Sequence, residues 1–215
     1  MRVTMNTKGV DPDSVYAWLC GRSLARGVPQ PVADQGGFRV DTGTEAEISR
    51  WVFPTIGPGL PALARGLQDP RYLLKLCGEA DELRSILPGG WQVEGGNFFM
   101  QSSGARFEAA PVEGSIDVVR NDAVIAVRIV AKDGTLTASG YAGETPDAFA
   151  YDRIAPAPAH RRRGLGRAVM AALQDARRYP DAPELLVATE AGRALYERLG
   201  WRTLSAYSTA TFVRP

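Results

Sequence analysis

The sequence predicts an α+β (mixed α/β) fold: a twisted central sheet with flanking helices, preceded by an N-terminal α/β extension or subdomain. Three observations predict it. In the second half, strand-like runs alternate with helix-period segments in the order strands, helix, strand, helix, strand. Lys132-Asp133-Gly134 marks a hairpin between two of those runs. Apolar residues make up 45% of the 215, enough for a real core and too many for a disordered chain.

Taken in order, residues 13–27 read as a helix with Asp13 or Ser14 as N-cap and Gly27 past its end. A Pro/Gly-rich loop and a short strand at Gly37 to Asp41 follow. Residues 44–53 are expected to be helical, with Thr44 and Glu47 spaced as a capping box. Pro54 to Pro61 is rich in breakers, and residues 70–87 mix helix and strand signals. Trp91 to Gln101 is extended and aromatic, and Ser102-Ser103-Gly104 is the best linker. The expected domains are therefore 1–105, with an acceptor-site or interface role, and 106–215.

The second domain carries strands at Ala123–Ala131, Thr135–Ala142 and Ala148–Ala155. A helix runs from Leu165 to Arg178, with Leu165, Val169, Leu173 and Ala176 at helical spacing. Leu185–Thr189 is a short buried-type strand. The next helix spans 191–199, with Ala191, Ala194, Leu195 and Leu199 on its apolar face and Gly200 as its stop. Residues 201–213 form one or two strands.

Net charge is +1, so the chain lacks the basic field of a dedicated nucleic-acid binder. There is no apolar run of about 18 residues and no signal-type segment, and a cytoplasmic protein is expected. Cys20 and Cys77 are too few for a disulfide framework and read as small buried residues. His160 is the single histidine, which rules out a multi-histidine zinc site, and no metal is expected. It reads as a turn residue.

The positive charge is concentrated in Arg161-Arg162-Arg163-Gly164-Leu165-Gly166-Arg167, between a strand and a helix. The first-turn N–H groups of a helix have no internal partners, and the helix dipole adds partial positive charge there. Glycines let an anion approach the backbone, and arginines add charge and bidentate donors. A P-loop needs Lys and Ser/Thr after its last glycine, and here Arg167 and Ala168 follow. A Rossmann fingerprint needs a third small residue where Val169 stands.

Two motifs carry a family resemblance. Ile154-Ala155-Pro156 leads through His160 into Arg161-x-x-Gly164-x-Gly166, and Leu185-Leu186-Val187-Ala188 is followed by Leu195-Tyr196 and Leu199-Gly200-Trp201. Together they resemble the GNAT superfamily of N-acetyltransferases, over residues of about 113–215. Residues 1–105 carry no assignable motif, although a degenerate second copy of the same fold is one reading of them.

The resemblance implies acetyl-CoA, or another acyl-CoA, held between two splayed parallel strands, here Ala148–Ala155 and Leu185–Thr189. It implies pyrophosphate on the turn formed by Arg161, Arg162, Arg163, Gly164, Leu165, Gly166 and Arg167, and pantetheine against the backbone of Ile154 and Ala155. Arg161 has a second reading, facing inward to hold the turn. Thr189 stands where the family often has a cofactor-contacting Asn. Tyr196 matches the tyrosine that donates a proton to the departing sulfur. Asp152 is the candidate base for the amine, with Tyr151 and Arg153 on the opposite face of a regular strand. A water chain or another carboxylate is the alternative.

The function implied is transfer of an acetyl or acyl group to a primary amine of a small molecule, peptide or protein. The competing readings are an idle acyl-CoA-binding regulatory module and an acyltransferase acting on aminoacyl-tRNA. The expected partners are acyl-CoA and an amine acceptor, with a second copy of the chain as a further candidate, and neither membrane nor nucleic acid.

Overall fold

The computed structural model describes residues 9–106, 108 and 111–213. Along the chain the elements are α1 (Pro12–Arg26), β1 (Val32–Asp34), β2 (Gly37–Asp41), β3 (Ser49–Phe53), α2 (Gly59–Gly66), β4 (Tyr72–Leu76), α3 (Ala80–Ile86) and β5 (Trp91–Ser102). Then come β6 (Ser115–Asn121), β7 (Val124–Val130), β8 (Leu136–Thr145), β9 (Ala148–Pro156), a 3₁₀ turn (Pro158–His160), α4 (Leu165–Asp175), β10 (Glu184–Thr189), α5 (Glu190–Arg198) and β11 (Trp201–Phe212). The chain divides into two compact units. The first holds residues up to Tyr16, Pro31–Phe99 and the chain from Thr203 onward; the second holds Ala17–Gln30 and Met100–Arg202.

In the first unit the strand order is β1-β2-β3-β4-β11-β5. β3 and β4 run parallel and are paired at five positions from Ser49↔Tyr72 to Phe53↔Leu76. Trp51, Phe53, Leu60, Leu74, Leu76 and Leu83 fill its core. Two local expectations are corrected here. Asp11, not Asp13 or Ser14, caps α1, because its carboxylate accepts from the Ser14 N–H at 3.0 Å and Pro12 suits the first helical position. The Ser14 hydrogen bonds hold the Asp11 carboxyl below its ordinary range.

Residues 44–53 are not a helix. Thr44 Oγ1 does accept from the Glu47 N–H at 3.0 Å, but the bond closes an isolated turn, and the buried run Ser49–Phe53 continues as strand β3. Trp51 and Phe99 are core residues and Trp91 is half-buried, its indole donating to the Ala64 carbonyl at 3.1 Å.

In the second unit the order is β10-β9-β8-β7-β6. β6 to β9 form an antiparallel meander, and β9 runs parallel to β10 with α4 crossing between them. The second half of the chain repeats an order seen in the first. Two antiparallel strands, a helix, a parallel strand, a helix and a long strand occur as β2-β3-α2-β4-α3-β5 and again as β8-β9-α4-β10-α5-β11.

The two crossovers differ at the point that matters for a site. β9 and β10 are paired at Phe149↔Glu184 and Ala150↔Leu185, and then part. The register of β9 against β8 shifts between Ser139 and Tyr141, and Arg153 takes a positive φ of 53°. This is a bulge, which bends a strand and breaks its side-chain alternation. In the first unit, by contrast, β3 and β4 stay paired to their ends. The start of α2 is also closed: a Cβ on Gly59 would fall 1.8 Å from the Gln35 carbonyl oxygen of the β1–β2 turn.

The C-terminal part of α1 packs on β8 through glycines. A Cβ on Gly143 would lie 1.8 Å from the Gly21 carbonyl oxygen. Gly143→Ala is therefore expected to destabilise the protein by about 1–3 kcal/mol, the usual cost of overpacking. Urea denaturation checks this; an unchanged midpoint would show that α1 is not seated on β8 by this contact.

Candidate active site

Beyond Ala150 and Leu185 the parted strands leave a cavity of about 300 Å³ in the second unit, lined by Trp18, Arg22, Arg26, Asp152, Thr189 and Tyr196 among others. Four elements build it. α1 supplies Trp18, Arg22 and Arg26, which stand at i, i+4 and i+8 on one helix face. β9 supplies Tyr151, Asp152 and Arg153. β10 and α5 supply Leu186–Thr189, Gly192 and Tyr196.

The bulge corrects the expected geometry of β9. Arg153 does not turn away from Asp152, and both line the cavity, whereas the Tyr151 side chain does turn away, its hydroxyl going to Glu184. Arg153 Nε lies 3.0 Å from Asp152 Oδ2. Asp152 is 8% exposed and also meets Arg26 Nε at 2.8 Å and Arg22 Nε at 3.8 Å. Arg26 Nη2 donates to Oδ1 at 2.9 Å, whereas Oδ2, though close to the Nε atoms of Arg26 and Arg153, accepts no hydrogen bond. Arg153 is further tied to the Ala25 carbonyl and lies over the Tyr141 ring at 4.0 Å.

Two tyrosines are among the residues bordering the cavity, and their hydroxyls differ. The Tyr151 hydroxyl donates to buried Glu184, which also pairs with Arg177 at 2.9 Å and accepts from Gln174. Burial, then the Glu184 charge, push the Tyr151 phenol far above its ordinary range. Burial alone pushes Tyr196 up to about 12. Tyr196 packs against Trp201, ring centroids 5.9 Å apart. It sits on the buried face of α5 with Leu199, whereas Ala191 and Ala194, expected on that face, are exposed. Thr189 is the N-cap of α5; its Oγ1 accepts from the Gly192 N–H at 3.2 Å.

At the far end of β9 the chain turns through the 3₁₀ segment into α4. Gly164 is the N-cap, in the left-handed region at φ 78°, a conformation that suits glycine. The first internal bond of α4 runs from the Ala168 N–H to the Gly164 carbonyl at 3.1 Å, so the amides of Leu165, Gly166 and Arg167 have no intrahelical acceptor. Arg161, Arg162 and Arg163 are exposed around this helix start; Arg161 does not turn inward. Arg167 donates through Nε to the Glu108 carbonyl at 2.7 Å. Gly166 has a packing role, since a Cβ there would stand 3.3 Å from Leu195 of α5. A second cavity of about 320 Å³ lies against this turn, with Arg163, His160 and Leu165 in its wall.

Between the helix start and this opening, β10 leaves Ile154 and Ala155 of β9 unpaired, while Ala155 still pairs with Ser139 of β8. Among the described residues no group of three or more His, Cys, Asp or Glu side chains could hold a metal ion. Nor is any described helix long and apolar enough to cross a membrane.

The parted parallel pair and the open start of α4 lie in one segment of the chain. Residues 120–203 match the family model of the acetyltransferase (GNAT) domain. The whole fold is similar to a GCN5-related N-acetyltransferase from Kribbella flavida, with a TM-score of 0.65 and 14% identity over 96% of this chain and 97% of that one. It is also similar to a putative GNAT-family acetyltransferase from Novosphingobium aromaticivorans, with a TM-score of 0.57 and 18% identity over 94% and 99%. A GCN5-related N-acetyltransferase-like protein from Streptococcus suis aligns with a TM-score of 0.55 and 13% identity over 86% and 88%. No curated protein matches the sequence.

The α1 residues Trp18, Arg22 and Arg26 escape the sequence motifs. The available signal was their helical spacing, two arginines one turn apart on the face that also carries a tryptophan.

Proposed function

We propose that the second unit is an acyl-CoA-dependent N-acyltransferase that moves an acetyl or acyl group from acetyl-CoA, or a related acyl-CoA, to a primary amine. The observation that carries this reading is the coincidence in one unit of three features: parted parallel strands, an open glycine-started helix, and Tyr196 in the wall of the opening. Bound acyl-CoA supplies an acyl group activated as a thioester.

The amides of Leu165, Gly166 and Arg167 receive the pyrophosphate, and Arg161, Arg162 and Arg163 add charge around it. Ile154 and Ala155 offer backbone that β10 does not use. Thr189 keeps its hydroxyl hydrogen for a contact, since its oxygen is what caps α5. Tyr196 donates to the departing sulfur. Tyr151 is the weaker candidate because its hydroxyl is committed to Glu184. We assign a cytoplasmic location, where acyl-CoA is available.

We read the first unit as a degenerate copy of the same fold, because its strand and helix order repeats on the other side of residue 105. Its β3 and β4 stay paired to their ends and the start of α2 is closed, so we read its role as support or interface. Calorimetry with CoA, followed by a thiol-release assay over a panel of amines, tests the proposal. Binding without release over the whole panel would instead mark an idle acyl-CoA-binding module.

Asp152 is the carboxylate available to the acceptor's proton, although an amine reaches it only by displacing an arginine contact. If it is the base, Asp152→Asn lowers kcat most near neutral pH, where the amine is largely protonated, and higher pH partly restores the rate. A rate that falls equally at every pH would make Asp152 a positioning residue. A wild-type profile would remove it from the mechanism.

A further inference from the structure

We propose that the acceptor is a small amine that itself carries an oxyanion, a carboxylate or a phosphate, received by Arg22 and Arg26. This rests on the acyl-CoA-dependent reading of the second unit and names its acceptor. The argument starts from charge. Three guanidinium groups stand within 4 Å of one carboxylate, and Asp152 is the one acid among the described residues lining the cavity. Among the residues lining the cavity the guanidinium groups therefore outnumber the carboxylates three to one, in a recess where Asp152 is 8% exposed and Arg22 is 16% exposed. Like charges brought together out of bulk water repel, and a bound anion relieves that repulsion.

The three arginines are not equivalent. Arg153 is anchored by the Ala25 carbonyl, the Tyr141 ring and Asp152. Arg26 grips Asp152 with two nitrogens but is 32% exposed. Arg22 stands 3.8 Å from Asp152, within ion-pair range and beyond a hydrogen bond, with its guanidinium 5.7 Å from the Trp18 ring. Arg22 and Arg26 are one helical turn apart, so both present planar donors to the same space. Such forks match the paired oxygens of a carboxylate or phosphate. Tyr196 and Thr189 line the same cavity, so an amine placed for reaction lies beside these arginines. The volume of about 300 Å³ sits at the small end of ligand pockets, which favours a small acceptor over a protein tail.

The test is equilibrium binding to the full chain at saturating CoA, by calorimetry or saturation-transfer NMR. The probes are glycine, β-alanine, phenylalanine and glutamate, their primary amides, the matching amines without the acid group, and aminomethyl- and aminoethylphosphonate. Amines with an oxyanion are expected to bind, and the amides and plain amines to bind at least tenfold more weakly. Whether the amino acids or the phosphonates bind separates carboxylate from phosphate. Arg22→Gln should weaken the oxyanion-bearing probes by roughly 10–100-fold, the scale of a charge-assisted hydrogen bond, and leave the others unchanged. Arg22→Lys keeps the charge without the fork and should recover part of the affinity.

Plain amines binding as well as their acids would overturn the proposal, leaving the arginines as counter-ions of Asp152. So would an Arg22→Gln variant that stays folded and weakens every probe equally. Because the panel is read first on the unaltered protein, an unfolded variant does not block the test. If CoA binds and no oxyanion-bearing amine does, this proposal fails alone. If CoA does not bind, the underlying reading fails with it.

Discussion

Tyr196→Phe is expected to lower kcat by about 10²–10⁴-fold, the scale of a lost general acid, with little change in affinity for acyl-CoA. The substitution removes one hydroxyl and keeps the ring that packs on Trp201. The fold should therefore survive, and the loss should appear in turnover. The phenol is 8% exposed and burial pushes it up to about 12. A raised phenol is protonated, and so able to donate, at every pH below that value. The wild-type rate should therefore show no alkaline fall from Tyr196 between pH 7 and pH 10, whereas a phenol of ordinary pKa would begin to lose its proton near 10. Single-turnover kinetics measure this without interference from product release. A decrease in kcat smaller than about threefold, against the expected scale of general acid catalysis, would remove Tyr196 as the donor and reopen the case of Tyr151.

Gly164→Glu is expected to weaken CoA binding on the order of 100-fold or more. Two effects add. The residue is held at φ 78°, where a side chain costs about 1–2 kcal/mol. The new carboxylate also stands at the helix start, where the dipole favours negative charge, and so occupies the place meant for phosphate. Because that placement favours the helix, α4 itself should persist. Gly164→Ala separates the two effects: it carries the conformational cost alone, and its loss of affinity should be several-fold. Titration calorimetry with CoA reads both variants. Equal affinity of the glutamate variant and the wild type would mean that the phosphates lie elsewhere, and the wall of the second cavity around His160 and Arg163 would be the next place to look.

Legibility differed along the chain for physical reasons. α4 and its turn were readable because a strand, a glycine-bearing turn and a helix period follow each other within some 30 residues, and the chemistry lies in that local order. Tyr196 was readable for the same reason, lying on a helix that opens directly from β10. β6 was missed because as an edge strand it is exposed on both faces and shows no alternation. Residues 44–48 misled because a Thr-x-x-Glu pattern closes a lone turn as readily as a helix; the bonds from Thr44 to Glu47 form either way. What decided between them was the buried pairing of Ser49–Phe53 with β2 and β4, which lies outside the local window.

By itself the sequence determined the order of strands and helices from β7 onward, the glycine-bearing start of α4 and the place of Tyr196 on the helix after β10. These depend on neighbours along the chain. The tertiary structure alone decided the rest. It placed Arg26 on Asp152 across 126 positions of sequence, through an α1 face that only a close glycine contact at Gly21 and Gly143 lets settle on β8. It set the bulge at Arg153 that brings the Arg153 and Asp152 side chains together in one cavity. It also distinguished two crossovers with the same order, one parted and one paired to its end. That difference resides in strand register and in how closely backbones approach, which no residue carries alone.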